Sequence, residues 1–249
     1  MCREEAFVTQ APLGAGRLPE AVLRPATANV FETTVEQLAT AIRLGVFVDG
    51  EQLPPERELS ERLGVARNTL RDAIAALRES GLVTTRRGRG GGTVVTYVTP
   101  EPGSGTAPVR RGAALADALD FRRIVEPGAA WLAARQELAG DQRAWLVASA
   151  AAVWEADDTG AHRIADSRFH LAVATLSASP MVIESVTRAQ AALGEMLAAI
   201  PVLPRNITHS CEQHDAVVAA ILAGDADAAR AAMEEHCDAT SALLRGLLG

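Results

Sequence analysis

Apolar positions in the first hundred residues recur three times with a helical period and then switch to short runs of strand character. From Thr33 to Leu44, Val35, Leu38 and Ile42 share one face, Thr33 or Thr34 offers a cap, and Gly45 suits the exit. A second helix is predicted from Pro54 or Pro55 to Leu63, closed by Gly64, and a third from about Ala66 to Ser80, with Leu70, Ile74 and Leu77 on a buried stripe. Leu82 to Thr85 and Thr93 to Val98 are Thr/Val-rich runs joined by RRGRGGG, which reads as a two-stranded hairpin with a glycine tip. Three helices followed by a hairpin make a winged helix-turn-helix over residues 31–98.

The stretch TPEPGSGTAPVRRG breaks every period and marks a linker over 99–112. From there to residue 249 only helical periods remain: 112–138, 141–157, 161–178, 180–201, 205–223 and 225–247, punctuated by Gly140, Gly160, Pro180, Pro204 and Gly224. Domain 113–249 is thus expected to be an all-α antiparallel bundle of six or seven helices, and the whole chain mainly α. Residues 1–30, rich in Pro and Gly and without a sustained period, read as an irregular arm.

The net charge of −7 seems at first to disfavour nucleic acid, but the charges are unevenly placed. Residues 31–98 carry nine Arg against nine acids, and the acidic excess lies entirely beyond residue 98. Every cationic side chain other than histidine is Arg, and Lys is absent. Cys2, Cys211 and Cys237 are too few and too irregularly spaced for a disulfide framework. With no apolar run of bilayer length and no signal-peptide pattern in the first thirty residues, a cytoplasmic protein is expected.

In a helix-turn-helix the first turn of the second helix of the motif meets base edges in the major groove. Once the Leu70, Ile74 and Leu77 stripe is buried, Arg67, Asn68, Thr69 and Arg71 face outward there. Arg can chelate guanine and Asn adenine with two hydrogen bonds, while Thr can bond a phosphate or touch a thymine methyl. Arg57 on the preceding helix and Arg87 at the wing tip can bracket that helix on flanking phosphates, and Gly88 lets the wing backbone approach closely. The competing reading has Arg67 and Arg71 solvated beside Asp72 and Glu79.

The run LPPERELSERLGVARNTLRDAIAALRESGLV, followed by RRGRGGGTVV, resembles the signature of the GntR family of regulators. That resemblance implies DNA contacts at Arg57, Arg67, Arg71 and Gly88; Asn68 departs from the commoner Ser or Thr.

In the second half, Asp166 and His170 stand at i and i+4 on one predicted helix, a spacing that can hold a single cation. His214 shares its face with Val217, Val218 and Ile221, and His236 with Ala229, Met233, Thr240 and Leu243, so both imidazoles are expected to point inward. His214 lies ~15 Å before the Gly224 turn and His236 ~18 Å after it at 1.5 Å per residue, which levels them on antiparallel helices. Three imidazoles and a carboxylate suit a divalent metal, Zn first, with Ni, Mn or Fe as alternatives, and leave positions open if the metal is octahedral. His162 and His209 are expected to bind nothing, and Cys237 to point away from the cluster.

This half resembles the effector domain of the FadR-like (FCD) branch of GntR regulators, through ALADALDFRRIVEPGAAWLAA and the positions of Asp166, His170, His214 and His236, which match the ligands of its metal-binding members. The resemblance implies a homodimer, and a small carboxylate effector bound beside the metal; the acyl-CoA-binding member lacks the cluster. Arg122 falls on the apolar stripe of Leu115, Leu119, Val125 and Ala129, where a cation needs an anion. It reads equally as a clamp on an effector carboxylate or as a salt bridge to a buried acid such as Glu126 or Asp166.

The expected function is a repressor, not an enzyme, binding a palindromic double-stranded operator under control of that acid. A metal-dependent hydrolase and a purely structural metal site are the alternatives.

Overall fold

The computed structural model describes residues 30–86, 88, 91–99, 109–200 and 203–248, within which nine helices and one hairpin form. Residues 1–29 of the predicted 1–30 arm, Arg87 and most of the linker lie outside the described residues.

The first unit holds α1 (Val30–Arg43), α2 (Glu56–Leu63), α3 (Arg67–Glu79), β1 (Val83–Arg86) and β2 (Gly92–Val95). Its core gathers the predicted stripes: Leu38 and Ile42 of α1, Leu59 of α2, Leu70, Ile74 and Leu77 of α3, and Val83 and Val95 of the hairpin. Gly64 closes α2 in the left-handed region (φ 66°), and this tight turn sends α3 off across α2. The strands pair antiparallel with Val83 opposite Val95 and Arg86 opposite Gly92. A bridge from Gln52 to Val94, which no strand period announced, extends the hairpin on its other edge. A Cβ at Gly92 would push the exposed Gln52 side chain aside.

Two boundaries in this unit differ by three residues from the sequence reading. Helix α1 begins at Val30, and Thr34, expected as a cap, instead turns its hydroxyl back to donate to the Val30 carbonyl at 2.6 Å from inside the helix. Strand β2 stops at Val95 rather than Val98, although the Thr96 amide still bonds the Leu82 carbonyl.

The second unit consists of α4 (Gly112–Ala134), α5 (Gly140–Glu155), α6 (Thr159–Leu176), α7 (Pro180–Ala198), α8 (Pro204–Ala223) and α9 (Ala226–Leu248). Helix α4 packs on α9 and α7, and α9 on α8, so the polar residues of these helices can converge. One core cluster surrounds Phe169, Val173, Val217 and Met233, and a second gathers Leu115, Leu119, Leu193, Met196 and Leu244. Helix α4 ends at Ala134, four residues short of its predicted end, with Arg135 in its C-cap.

The two units touch where α1 ends. Gly45 (φ 70°) sits so close to α6 that a Cβ would run into the Ile164 side chain, and Gly160 lies beside Thr99. No described helix is long and apolar enough to cross a membrane.

Candidate functional site: a recognition helix and a buried histidine centre

Helix α3 starts abruptly, with Ala66 extended (φ −64°, ψ 144°) and Arg67 the first helical residue. Its inner face is filled by Leu70, Ala73, Ile74 and Leu77, which leaves Arg67, Asn68 and Arg71 exposed and Thr69 partly so. Arg71 Nε donates to Glu56 Oε2 at 2.7 Å, so its acidic partner comes from α2 and not from Asp72 or Glu79. Arg57 stands 3.8 Å from Glu61, both exposed. Gly88, at φ 105°, occupies the wing tip in a conformation that side chains rarely adopt.

In the bundle, α6 supplies His170, α8 His214 and α9 His236, and these three fully buried rings meet with candidate ligand nitrogens all within 4.8 Å of one another. Ring centroids of His214 and His236 are 4.6 Å apart, as their matched distances from the Gly224 turn predict. Asp166, one turn before His170, brings Oδ1 to 3.6 Å from His214 Nε2.

Burial keeps the His214 and His236 rings neutral, pushing the His214 pKa down to about 3 and that of His236 well below its ordinary value. Gln213 Oε1 lies 3.3 Å from His236 Nδ1, and Glu126 Oε2 lies 3.0 Å from His170 Nδ1. The Gln213 contact fixes the outer nitrogen of His236 and leaves its Nε2 to face its neighbours. Both nitrogens of His170 and both of His214 are buried without a hydrogen-bond partner among the described residues. Neutral imidazoles with convergent, unsatisfied nitrogens fit a cation, since a metal takes the deprotonated ring.

Glu126 organises the layer beside this trio. Its carboxylate accepts from Arg122 Nε at 3.0 Å and from Gln190 Nε2 at 2.6 Å, and the Cys237 thiol points at it from 3.6 Å. Burial opposes its charge, but Arg122 and His170 beside it hold the carboxyl well below the usual range. Burial also opposes the Arg122 charge, and Cys237, Glu126 and Asp166 around it outweigh that cost. Arg122 is 1 % exposed, yet its Nη1 and Nη2 have no hydrogen-bond partner among the described residues, and the side chain lines a cavity of about 390 Å³ shared with Asp166, Gln213 and His236. The two readings of Arg122 are therefore compatible: one nitrogen pairs with a buried acid and two remain for a ligand.

His162 and His209, expected to bind nothing, stand outside the close trio, although both line this cavity, with His162 Nδ1 3.4 Å from the Val153 carbonyl and His209 3.9 Å from Glu212. Cys237, expected to point away, points toward the polar layer, because the α9 turn that buries His236 also carries its neighbour inward. Gln190 and Gln213 escaped the sequence reading, although Gln190 falls on the apolar stripe of Val186, Ala189 and Leu193, where an amide signals a buried partner.

A winged helix joined to a helical domain with a polar, cavity-lined centre defines a class, the two-domain winged-helix transcription regulators. The description "Bacterial regulatory proteins, gntR family" matches residues 31–95, and "FCD domain" matches residues 117–239. A protein of Escherichia coli strain K12 named as an L-lactate dehydrogenase operon regulatory protein is 34% identical over 198 residues, covering 75% of each chain. The transcriptional repressor NanR of Salmonella newport is 30% identical over 227 residues, covering 87% of this chain and 85% of its own. The chain belongs to the GntR family, with an FCD domain as its second half, and is a DNA-binding transcription regulator and not an enzyme. Among solved structures, Escherichia coli McbR/YncC shares the fold at a TM-score of 0.55 and 19% identity, covering 89% of this chain and 100% of that one.

Proposed function

We propose that this chain is a homodimeric repressor whose operator affinity is set by an acid held in the bundle cavity, beside a divalent metal on His170, His214, His236 and Asp166. The observation that carries the reading is Arg122, a fully buried guanidinium whose two terminal nitrogens lack hydrogen-bond partners among the described residues while the side chain lines the cavity that His236 and Asp166 also line. Paired donors of that kind match a carboxylate in bidentate geometry. The donor set suits Zn before Ni, Mn or Fe. A bound cation would supply a further electropositive partner for a ligand oxygen.

On the DNA side, Arg67, Asn68 and Thr69 read bases from the first turn of α3, Arg71 is presented by Glu56, and Arg57, Arg87 and Gly88 reach the backbone. Two subunits place two such helices in successive major grooves of a palindromic site, ~34 Å apart. Helix α6 links the two sites: it carries Asp166 and His170 toward the cluster and Ile164 against Gly45. A ligand that shifts α6 thereby changes the seat of the winged helix and the spacing of the recognition helices.

The test is operator affinity by fluorescence anisotropy at fixed salt, with and without carboxylates, for the parent chain and Arg122→Met. The parent should lose affinity when acid is added, and Arg122→Met should bind the operator equally under both conditions. An unchanged acid response in Arg122→Met would remove the clamp. Elemental analysis of the natively purified protein tests the metal, and binding of acid that competes with nothing at the cluster would leave it a structural site.

A further inference from the structure

The cavity has a polar end and an aliphatic end, and the order of residues along three helices shows it. On α9, His236 is followed by Ala239, Thr240 and Leu243, so the wall turns apolar ~10 Å along the axis. On α7, Gln190, bonded to Glu126, is followed by Leu193 and Leu197. On antiparallel α4, Arg122 is preceded by Leu119 and Leu115, which back the same region. Leu193, Leu197, Ile200, Ile207 and Leu243 line the cavity itself, and the exposed Asn206 and His209 mark its mouth.

Size points the same way. At ~30 Å³ per water-sized atom, about 390 Å³ holds roughly thirteen such atoms. A three-carbon hydroxy acid, with about six non-hydrogen atoms, leaves more than half of that volume to water against leucine. A sugar acid would carry hydroxyls against Leu193, Leu197 and Leu243, where the polar groups at hand are Thr240 and Arg163, the latter already donating to the Leu197 carbonyl at 2.7 Å, so most hydroxyls would lose water without a partner.

We infer that the ligand is an amphipathic monocarboxylic acid with an aliphatic chain of about eight to ten carbons, its carboxylate on Arg122 and its chain along α7 and α9. This rests on the carboxylate reading of Arg122 given above and adds the class of acid. Burying each methylene along this wall should tighten binding roughly fourfold.

Calorimetric titration of the full chain with butyrate, hexanoate, octanoate, decanoate and dodecanoate tests it. Affinity should climb roughly fourfold per methylene to octanoate or decanoate and then fall. Leu197→Trp, which fills the aliphatic end, should move the optimum to shorter acids and leave butyrate binding unchanged; Leu243→Trp gives the same readout if the first variant does not fold. If butyrate or L-lactate binds as tightly as octanoate, the aliphatic chain is wrong while the Arg122 anchor stands. If octanol binds as tightly as octanoate, the anchor itself is wrong and the proposed function loses its acid.

Discussion

Arg122 Nε donates to Glu126 Oε2 at 3.0 Å, one helical turn along α4, with both side chains only 2 % exposed. The pair keeps the guanidinium charged inside the bundle and spends only one of its nitrogens. Breaking a buried pair from one side leaves an uncompensated charge, at a cost of ~3–5 kcal/mol. Arg122→Met should therefore lower the unfolding free energy by about that amount in denaturant titration, as well as abolish the acid response. The double variant Arg122→Met/Glu126→Gln should recover much of the stability and none of the response. Full stability in the single variant would show that Glu126 is not held as a carboxylate by Arg122.

The Arg71–Glu56 pair is exposed and so contributes at most ~1 kcal/mol to folding. Glu56→Gln should leave the melting temperature nearly unchanged while altering operator affinity, because it frees the Arg71 side chain. Arg67→Ala should cost ~1–3 kcal/mol of operator binding and relax base preference at one position, measured by anisotropy against single-base operator variants. Unchanged affinity for every operator variant would place Arg67 outside the interface.

Two of the buried imidazoles make the metal-free protein acid-sensitive. His214 titrates at about 3 in the fold against 6.5 when exposed, and His236 is also shifted down, so the unfolded chain takes up their protons first. Their stabilisation is complete above ~6.5 and is lost as pH falls below it, for His214 until about 3 at about 1.4 kcal/mol per pH unit. Asp166, His162, His170, His209 and Arg122 are the charged or titratable groups acting on them. The melting temperature should fall between pH 6.5 and 4.5 in the parent and fall less in His214→Phe. Equal slopes in the two proteins would show that the ring titrates freely.

Chelation should lower the melting temperature of the native protein, and added Zn should restore it by mass action. His170→Ala should abolish the Zn effect, whereas His209→Ala, outside the close trio, should retain it. Equal Zn response in both variants would exclude the trio as the site.

Gly45→Val places a branched side chain at a positive φ and against Ile164 at once. It should loosen the contact between winged helix and bundle, seen as faster proteolysis near the junction and a weaker effect of the acid on operator binding. Intact coupling in a folded Gly45→Val protein would show that the signal does not pass through this contact.

Local pattern was enough wherever one element decides its own fate. The stripes of α1 and α3, the Gly64 turn, the hairpin and the helical periods beyond residue 112 follow from spacing and from Gly and Pro placement, which act over a few residues. The histidine centre was also partly legible, because ring heights on two antiparallel helices follow from their distances to one turn. Thr34 was misjudged because a threonine can cap a helix or bond back to its fourth predecessor, and only the true helix start distinguishes the two.

By itself, then, the sequence determined the two kinds of domain, the recognition helix and the candidates Asp166, His170, His214, His236 and Arg122. Only the tertiary structure decided that Arg122 divides its nitrogens between Glu126 and a cavity, that Gln190 and Gln213 steady the polar layer, and that the cavity continues into an aliphatic end. Periodicity reports which way a residue faces along its own helix. Which partner meets it there, and how much space is left between them, depends on packing among α4, α7, α8 and α9, elements separated in the chain by tens of residues.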